Sequence, residues 1–323
     1  AGSALVYRAV LSSGPKLRSP SGEASKGPYV FSRTLFKLCR ELAPTHLVMA
    51  MDSPREKLFR RKLFPEYKKN RTKSLSAEVG FSQQVQRCFS ITKALGVALV
   101  KLEGFEADDI IATLVSKYDV PCTIVSMDKD LHQLVSDQVE ILDPFKDDFV
   151  RAKEVQDRWE VPPGKVVEVQ ILAGDRGDNI PGVDGIGIKG AQKLILEYGT
   201  ADAVKEARLG LKHSIAEALE RADLDLLRKL VTLRRDVPLD MDFVQFRFEG
   251  LRVEIEAKRI FKDFFTFRPK KGQRSWLDAH NAVAVLALPY HLMITYTGLI
   301  TLMFMYMPYG AQVAYNGDEK AFL

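Results

Sequence analysis

Gly104-Phe105-Glu106-Ala107-Asp108-Asp109-Ile110-Ile111-Ala112-Thr113-Leu114-Val115 follows directly on the apolar, strand-like run Val97–Leu102. Ile110, Ile111, Leu114, Val115 and Tyr118 fall at helical spacing, so the segment predicts a strand, a turn, and then a helix with one apolar face. Acidic residues suit the first turn of such a helix, because its unpaired N–H groups carry partial positive charge. That benefit accounts for one or two of them. Three carboxylates within four residues repel one another, which raises their pKa values unless a cation is present. A solvated acidic helix start is the plainer reading, and it would stand if the pattern occurred once.

The pattern recurs. His46-Leu47-Val48-Met49-Ala50-Met51 is a short apolar run ending in Asp52, and Pro121–Met127 ends in Asp128 and Asp130. Such runs, bounded by turn signals, read as buried parallel strands, and open α/β sheets place their ligands at the carboxyl ends of strands. A lone Asp after a strand is an ordinary helix cap. Three such sites in one presumed sheet are harder to assign to capping. Asp175 and Asp178 add a further pair in the turn-rich stretch Gly174–Gly182.

Asp52, Glu106, Asp108, Asp109, Asp128, Asp130, Asp175 and Asp178 thus form one candidate set, with no His or Cys at ligand spacing, which argues against zinc. All-oxygen donors favour Mg²⁺ or Mn²⁺. Beside strongly basic sequence the set suits two-metal phosphodiester hydrolysis, one ion activating a water and the other stabilising the leaving oxygen.

The basic sequence is Pro54–Lys73, which holds nine Lys and Arg against Glu56 and Glu66, an excess larger than the net +5 of the whole chain. Phe59, Phe64 and Tyr67 lie among the cations. A solvated helical face with its aromatics turned to the core is one reading. A phosphate-gripping element is the other, since clustered cations with stacking aromatics suit single-stranded nucleic acid. The 323 residues allow one or two domains, and 46% apolar with 28% charged residues is ordinary for a soluble globular protein. Cys39, Cys88 and Cys122 are odd in number and match no zinc pattern; they read as buried thiols of a reduced, intracellular protein. The chain begins at Ala1 without a methionine, as a fragment or processed form does.

Elsewhere, Tyr29–Leu42 and Val79–Leu95 predict helices, as does Val166–Leu172, with further helices to about residue 235. Gly185, Gly187 and Gly190 spell GxGxxG, but that dinucleotide fingerprint needs a strand just before it, and a Pro-Gly loop stands there instead. A Gly-Ile-Gly turn ahead of a helix carrying Lys189 and Lys193 suits a helix-hairpin-helix, whose backbone N–H groups approach a DNA phosphate.

GFEADDIIATL, SMDKDLHQLV, GDRGDNIPGVDGIGIKGAQKLI and FRRKLFPEYKKNR together resemble the 5′–3′ exonuclease domain at the N-terminus of bacterial DNA polymerase I, within the flap endonuclease superfamily. Standalone copies of that domain occur in bacteria and in plant and algal organelles. The resemblance covers roughly residues 1–268. It implies an α/β fold with a Rossmann-like (PIN-like), mostly parallel central sheet, a helical arch at about 54–86 and a helix-hairpin-helix (helix-three-turn-helix) region. It implies a nuclease domain over 1–160 and a DNA-binding domain over 161–268. It assigns Asp52, Glu106, Asp108 and Asp109 to a first metal and Asp128, Asp130, Asp175 and Asp178 to a second. Lys68 and Arg71 would contact the scissile phosphate, with Arg60, Tyr67 and Lys69 nearby. Gly185, Gly187, Lys189 and Lys193 would hold the duplex, where the family also binds K⁺.

The implied activity is 5′–3′ exonuclease and 5′-flap endonuclease cleavage of flaps, nicked or gapped duplex and RNA primers. The implied molecule is a monomer working beside a separate DNA polymerase, in a bacterial cytoplasm or in a plastid or mitochondrion. One departure stands against this. The family opens with a buried strand ending in Asp-Gly-Ser and then a Tyr-Arg pair; here Gly2-Ser3 and Tyr7-Arg8 match, but Ala1 holds the aspartate position. A missing central strand and a missing ligand predict poor folding and weak cleavage. The competing readings are a catalytically weak or inactive structure-specific DNA-binding protein and a related ribonuclease acting on structured RNA.

The tail, 269–323, differs in kind. From Ala282 to Asn316 there is no charged residue, and Val283–Met307 is long and apolar enough to count as a membrane-span candidate, weakened by Pro289 and His291. Sequence foreign to the rest through a gene-model or readthrough artefact, a membrane anchor, and a buried extra element are the three readings, the anchor not being the favoured one.

Overall fold

The computed structural model describes residues 2–12, 17–19, 22–70 and 80–250. Arg71, the remainder of the expected arch at 72–79 and the tail at 269–323 lie outside the described residues. Gly2–Leu11 forms a helix, α1, and Lys26–Leu42 a second, α2, which places Phe31, Leu35 and Leu38 on one buried face. α2 ends where Ala43 turns left-handed at φ 41° and returns its N–H to the Cys39 carbonyl; Pro44 cannot continue the helix. Val48–Met51 (β1) pairs in parallel with Ala98–Lys101 (β2), Val48 opposite Ala98. Between them lie a short helix, Phe59–Leu63 (α3), and Phe81–Ala94 (α4).

Alternation along β1 sends neighbouring residues to opposite faces. Met49 joins Val6, Phe31, Leu35 and Cys88 beneath α1, α2 and α4, while Ala50 and Val100 meet Ile110 and Leu114 of Ala107–Lys117, α5. Gly2 is dictated by this packing. A Cβ there would lie 2.3 Å from Cγ of Met49 and 2.8 Å from the Ala50 carbonyl oxygen.

Cys122–Val125 (β3) pairs in parallel with Val139–Asp143 (β4), which pairs antiparallel with Asp148–Val150 (β5). The α/β class and the mostly parallel strands are as expected. The single continuous sheet is not: the described strands form two sheets, of two and three strands. No described strand joins them, and strands this short carry few ladder bonds. α5 spans the gap instead, with Ile110 and Leu114 against β1 and β2, and Ala112 in the cluster that holds Ile124 and Ile141.

The remaining helices are Ala152–Trp159 (α6), Val166–Ala173 (α7), Ile188–Tyr198 (α8), Ala201–Glu206 (α9), His213–Arg221 (α10) and Leu224–Val231 (α11). Val166, Val169, Ile171 and Leu172 of α7 are all fully buried, so this helix is core on nearly every side. Each such side chain contributes about 1.5–3 kcal/mol by leaving water. The cluster containing them also contains Ile124, Ile141 and Leu230, and therefore runs unbroken across residue 160, the expected domain boundary.

Candidate active site

Several of the carboxylates are placed by capping a turn or a helix start. Asp52, at the end of β1, accepts from the Ala107 N–H at 2.9 Å, while the Asp52 N–H donates to Oγ of Ser3 at 3.2 Å. The end of β1 is thereby fixed to the first turn of α5. Within that turn the Glu106 N–H donates to Asp109. Asp128 caps the 3₁₀ turn Lys129–Leu134 by accepting from the Asp130 N–H at 3.1 Å. The loop after α7 is drawn tight by paired bonds between Asp175 and Ile180, and glycine is required on both sides of it. A Cβ on Gly174 would lie 2.4 Å from the Ile180 carbonyl oxygen, and one on Gly182 would lie 2.4 Å from the Gly174 nitrogen, both at positive φ. Asp175 accepts from the Gly177 N–H and pairs with Lys129 at 2.8 Å.

These elements line one cleft with Glu106, Asp108, Asp130, Asp175 and Asp178, alongside Arg60, Tyr67, Lys68 and Gln170. Asp52 and Asp128 act on it electrostatically. Burial, then the charges of Asp128 and Asp52, raise the Asp108 carboxyl well above its ordinary range. Burial, then Asp128, Asp178 and Asp175, push Asp130 up to about 7 against the opposing Lys129. Glu106 behaves differently. Burial would raise it, but Lys68 and Arg60 outweigh burial and hold its pKa below the ordinary value.

Asp109 lies beneath the cleft rather than in it. It is wholly buried; Arg60 donates to both of its oxygens at 2.6 and 2.7 Å, and the Arg234 N–H adds a third bond. Arg60, expected among the DNA contacts, is 2% exposed, and its remaining donors reach Glu106 and the carbonyls of Leu230 and Thr232 at the end of α11. No donor is left facing solvent where a phosphate could approach. Tyr67, expected in the same role, is equally buried and donates to Glu106 at 2.8 Å and Asp178 at 3.1 Å. Two residues expected among the DNA-binding set therefore support carboxylates from below.

Lys68 does reach the cleft, pairing with Glu106 and, at 3.2 Å, with Asp178. Its backbone is held left-handed at φ 54°, an uncommon conformation for a side chain of this kind, and its N–H donates to the Asp178 carbonyl. Asn179 bonds the Glu66 carbonyl and Asn70 the Arg176 carbonyl, so the segment 66–70 is stitched along the 176–179 loop. Lys69 is exposed and pairs with Glu66. Gly185, Gly187, Lys189 and Lys193 are exposed at the start of α8, where Gly187 is the cap residue and Gly185 has φ +79°.

As the side chains stand, no three His, Cys, Asp or Glu among the described residues close on one point to hold a metal ion. The donor set nevertheless fits a hard divalent cation. It is all oxygen, and Oδ1 of Asp108 is buried without a hydrogen-bond partner among the described residues. Sequence reasoning overlooked Lys129 and Gln170. Lys129 sits between the two acids of Met127–Asp130, and Gln170 is a polar residue inside an otherwise apolar helical run, which was the available signal.

Residues 1–160 match the family model of the 5′-3′ exonuclease N-terminal resolvase-like domain, and residues 161–254 match that of the 5′-3′ exonuclease C-terminal SAM fold. The chain is 31% identical to the 5′-3′ exonuclease of Aquifex aeolicus over 285 residues, covering 85% of this chain and 96% of that protein. The chain belongs to the 5′–3′ exonuclease family. By sequence and fold this is a family of nucleases, hydrolases acting on DNA. DNA polymerase I of Rhizobium leguminosarum is 37% identical over 257 residues, 75% of this chain but 25% of the polymerase, so the chain spans about a quarter of that relative. Among solved structures, T5 5′-exonuclease with bound divalent metal ions (zinc) superposes with a TM-score of 0.61 at 24% identity, covering 72% of this chain and 87% of that one. That likeness carries the fold. Residues 254–321 match the model of a PepSY-associated TM region. Among the described residues no helix is long and apolar enough to cross a membrane, and the candidate at 283–307 lies outside them.

Proposed function

We propose that the chain is a divalent-metal-dependent 5′–3′ exonuclease and 5′-flap endonuclease that hydrolyses phosphodiester bonds of DNA, removing flaps or RNA primers during replication and repair. The observation that carries this reading is the cleft lined by five carboxylates from the start of α5, the 3₁₀ turn and the 174–182 loop, two of which, Glu106 and Asp178, pair with the ammonium of Lys68. Asp52, Glu106, Asp108, Asp128, Asp130, Asp175 and Asp178 would hold Mg²⁺ or Mn²⁺, which supplies an activated water and stabilises the leaving oxygen. Asp109 serves that set indirectly, through Arg60. Lys68 and Arg60 hold Glu106 ionised, and Arg60 and Tyr67 hold it in place. Lys68, together with Arg71, neutralises charge that develops on the scissile phosphate. Lys69 lies beside that path, and the exposed turn at Gly185 and Gly187, with Lys189 and Lys193, grips the duplex backbone and offers a K⁺ site.

In this reading 1–160 supplies most of the cation-holding carboxylates and Lys68, while 161–268 adds Asp175 and Asp178 and the duplex grip. The protein acts as a monomer on flaps produced by a separate DNA polymerase, in a bacterial cytoplasm or an organelle. The test is cleavage of an end-labelled 5′-flap DNA. Mg²⁺-dependent release of short 5′ products is expected, abolished by EDTA and reduced at least about 100-fold in Asp108→Asn. Salt-sensitive flap binding with no cleavage in either Mg²⁺ or Mn²⁺ would sink the enzyme reading and leave a binding module.

A further inference from the structure

Gln170 is the exception in α7. Its neighbours Val169, Ile171 and Leu172 are core residues, and Gln170 itself is 3% exposed. Its side chain nonetheless lines the carboxylate cleft, where Nε2 donates to Oδ1 of Asp130 at 2.6 Å. The other end of the same amide, Oε1, is buried with no hydrogen-bond partner among the described residues. An amide carbonyl buried without a donor costs free energy that a leucine at the same place would not. A half-satisfied glutamine beside a crowded carboxylate is therefore costly to the metal-free fold and calls for a use.

We propose that Gln170 is a positioning residue for divalent-cation binding: its amide N–H holds the Asp130 carboxylate at the cleft, and its carbonyl oxygen is completed by water that arrives with the hydrated cation. The inference rests on the reading of the cleft as a divalent-cation site. Magnesium and manganese suit it, because Mg²⁺ in particular gives up its hydration reluctantly and brings donors with it. Partners that orient a ligand without touching the ion ordinarily change metal affinity 10–100-fold, roughly, when removed.

The test is Mn²⁺ binding to the full chain, read from the electron-spin resonance of free Mn²⁺, alongside the melting temperature in EDTA. Gln170→Met keeps length and burial and removes both polar atoms; Gln170→Asn keeps both and withdraws them by one methylene. Each folded variant is expected to bind Mn²⁺ about 10-fold more weakly than wild type. In EDTA, Gln170→Met is expected to melt no lower than wild type, since the unpaired carbonyl has gone. A purely structural role predicts the reverse pair of results. In an Asp130→Asn background, Gln170→Met should shift affinity by less than about twofold, because its partner is already altered. Affinity within about twofold of wild type in a folded single variant, or an undiminished effect in the Asp130→Asn background, overturns the proposal. Wild-type protein that binds no Mn²⁺ sinks the cation site itself, and that outcome is distinct from a bound site indifferent to Gln170.

Discussion

Arg60 donates to both oxygens of Asp109 and to Glu106 while almost wholly buried, and such a network responds asymmetrically when it is cut. Removing one partner strands charge in the interior, at about 3–5 kcal/mol, whereas removing the pair together costs far less. Arg60→Met should therefore lower unfolding free energy by about 3–5 kcal/mol in urea titrations, and Arg60→Met with Asp109→Leu should recover part of that loss. A single variant within about 1 kcal/mol of wild type would mean that the network does not hold the fold. Asp130 makes a second residue-level test. Its folded-state pKa, about 7 against an ordinary 3.8, means that the metal-free folded state keeps its proton over that interval. The stability this contributes is fully present below about 3.8 and is lost as pH rises through about 7. Burial lowers His132 to about 4, so it works in the opposite sense between about 4 and 6.5, and the raw melting curve mixes the two. The difference between wild type and Asp130→Asn separates them: in EDTA, wild type should lose melting temperature relative to the variant as pH rises from about 5 to about 8. A constant difference would count against a raised Asp130. The acids at these positions were legible from their clustering, but the burial of Arg60 and Tyr67 was not. Cations and aromatics in a basic segment are surface residues by default, and only the non-local approach of α11 and the 174–182 loop encloses them.

The 66–70 segment and the 176–179 loop act as one element, joined through a backbone bond, two asparagines and the Lys68–Asp178 ion pair. The ammonium of Lys68 stands where it offsets Glu106 and Asp178, the same carboxylates assigned to a cation. An ammonium and a divalent ion compete for such oxygens. Lys68→Met should therefore bind Mn²⁺ more tightly than wild type, by about fivefold or more, while cleaving the flap more slowly. Weaker Mn²⁺ binding in this variant would show that Lys68 supports the metal site instead of competing with it. At the same scale, α2, α4 and α5 were readable within a few residues because each carries an apolar stripe on one face. The division of the strands into two sheets was not readable. Runs of four apolar residues do not specify which edges pair, and the bridging role of Ala112 and Ile110 depends on helix placement rather than on periodicity.

On the whole molecule, the 54–73 segment carries a dense excess of positive charge and Lys189 and Lys193 add two cations at the start of α8, while the chain's net charge is only +5. A protein that neutralises DNA phosphates releases condensed counterions, so the slope of log affinity against log salt counts the contacts, at about 0.9 per phosphate on duplex. Lys189 and Lys193 are exposed on the first two turns of α8, clear of the carboxylate cleft, and make no contribution to its lining. If α8 grips the duplex, Lys189→Gln with Lys193→Gln should reduce the salt slope by about 2, weaken binding alike for every sequence, and leave single-turnover cleavage at saturating protein near the wild-type rate. Fluorescence anisotropy of a labelled flap substrate in EDTA, taken over a series of KCl concentrations, measures the slope. Quenched-flow cleavage in Mg²⁺ measures the rate. An unchanged slope would remove α8 from the interface and leave the 54–73 segment to carry it. An unchanged slope with a reduced rate would mean instead that α8 acts on the cleft through the core that runs across residue 160.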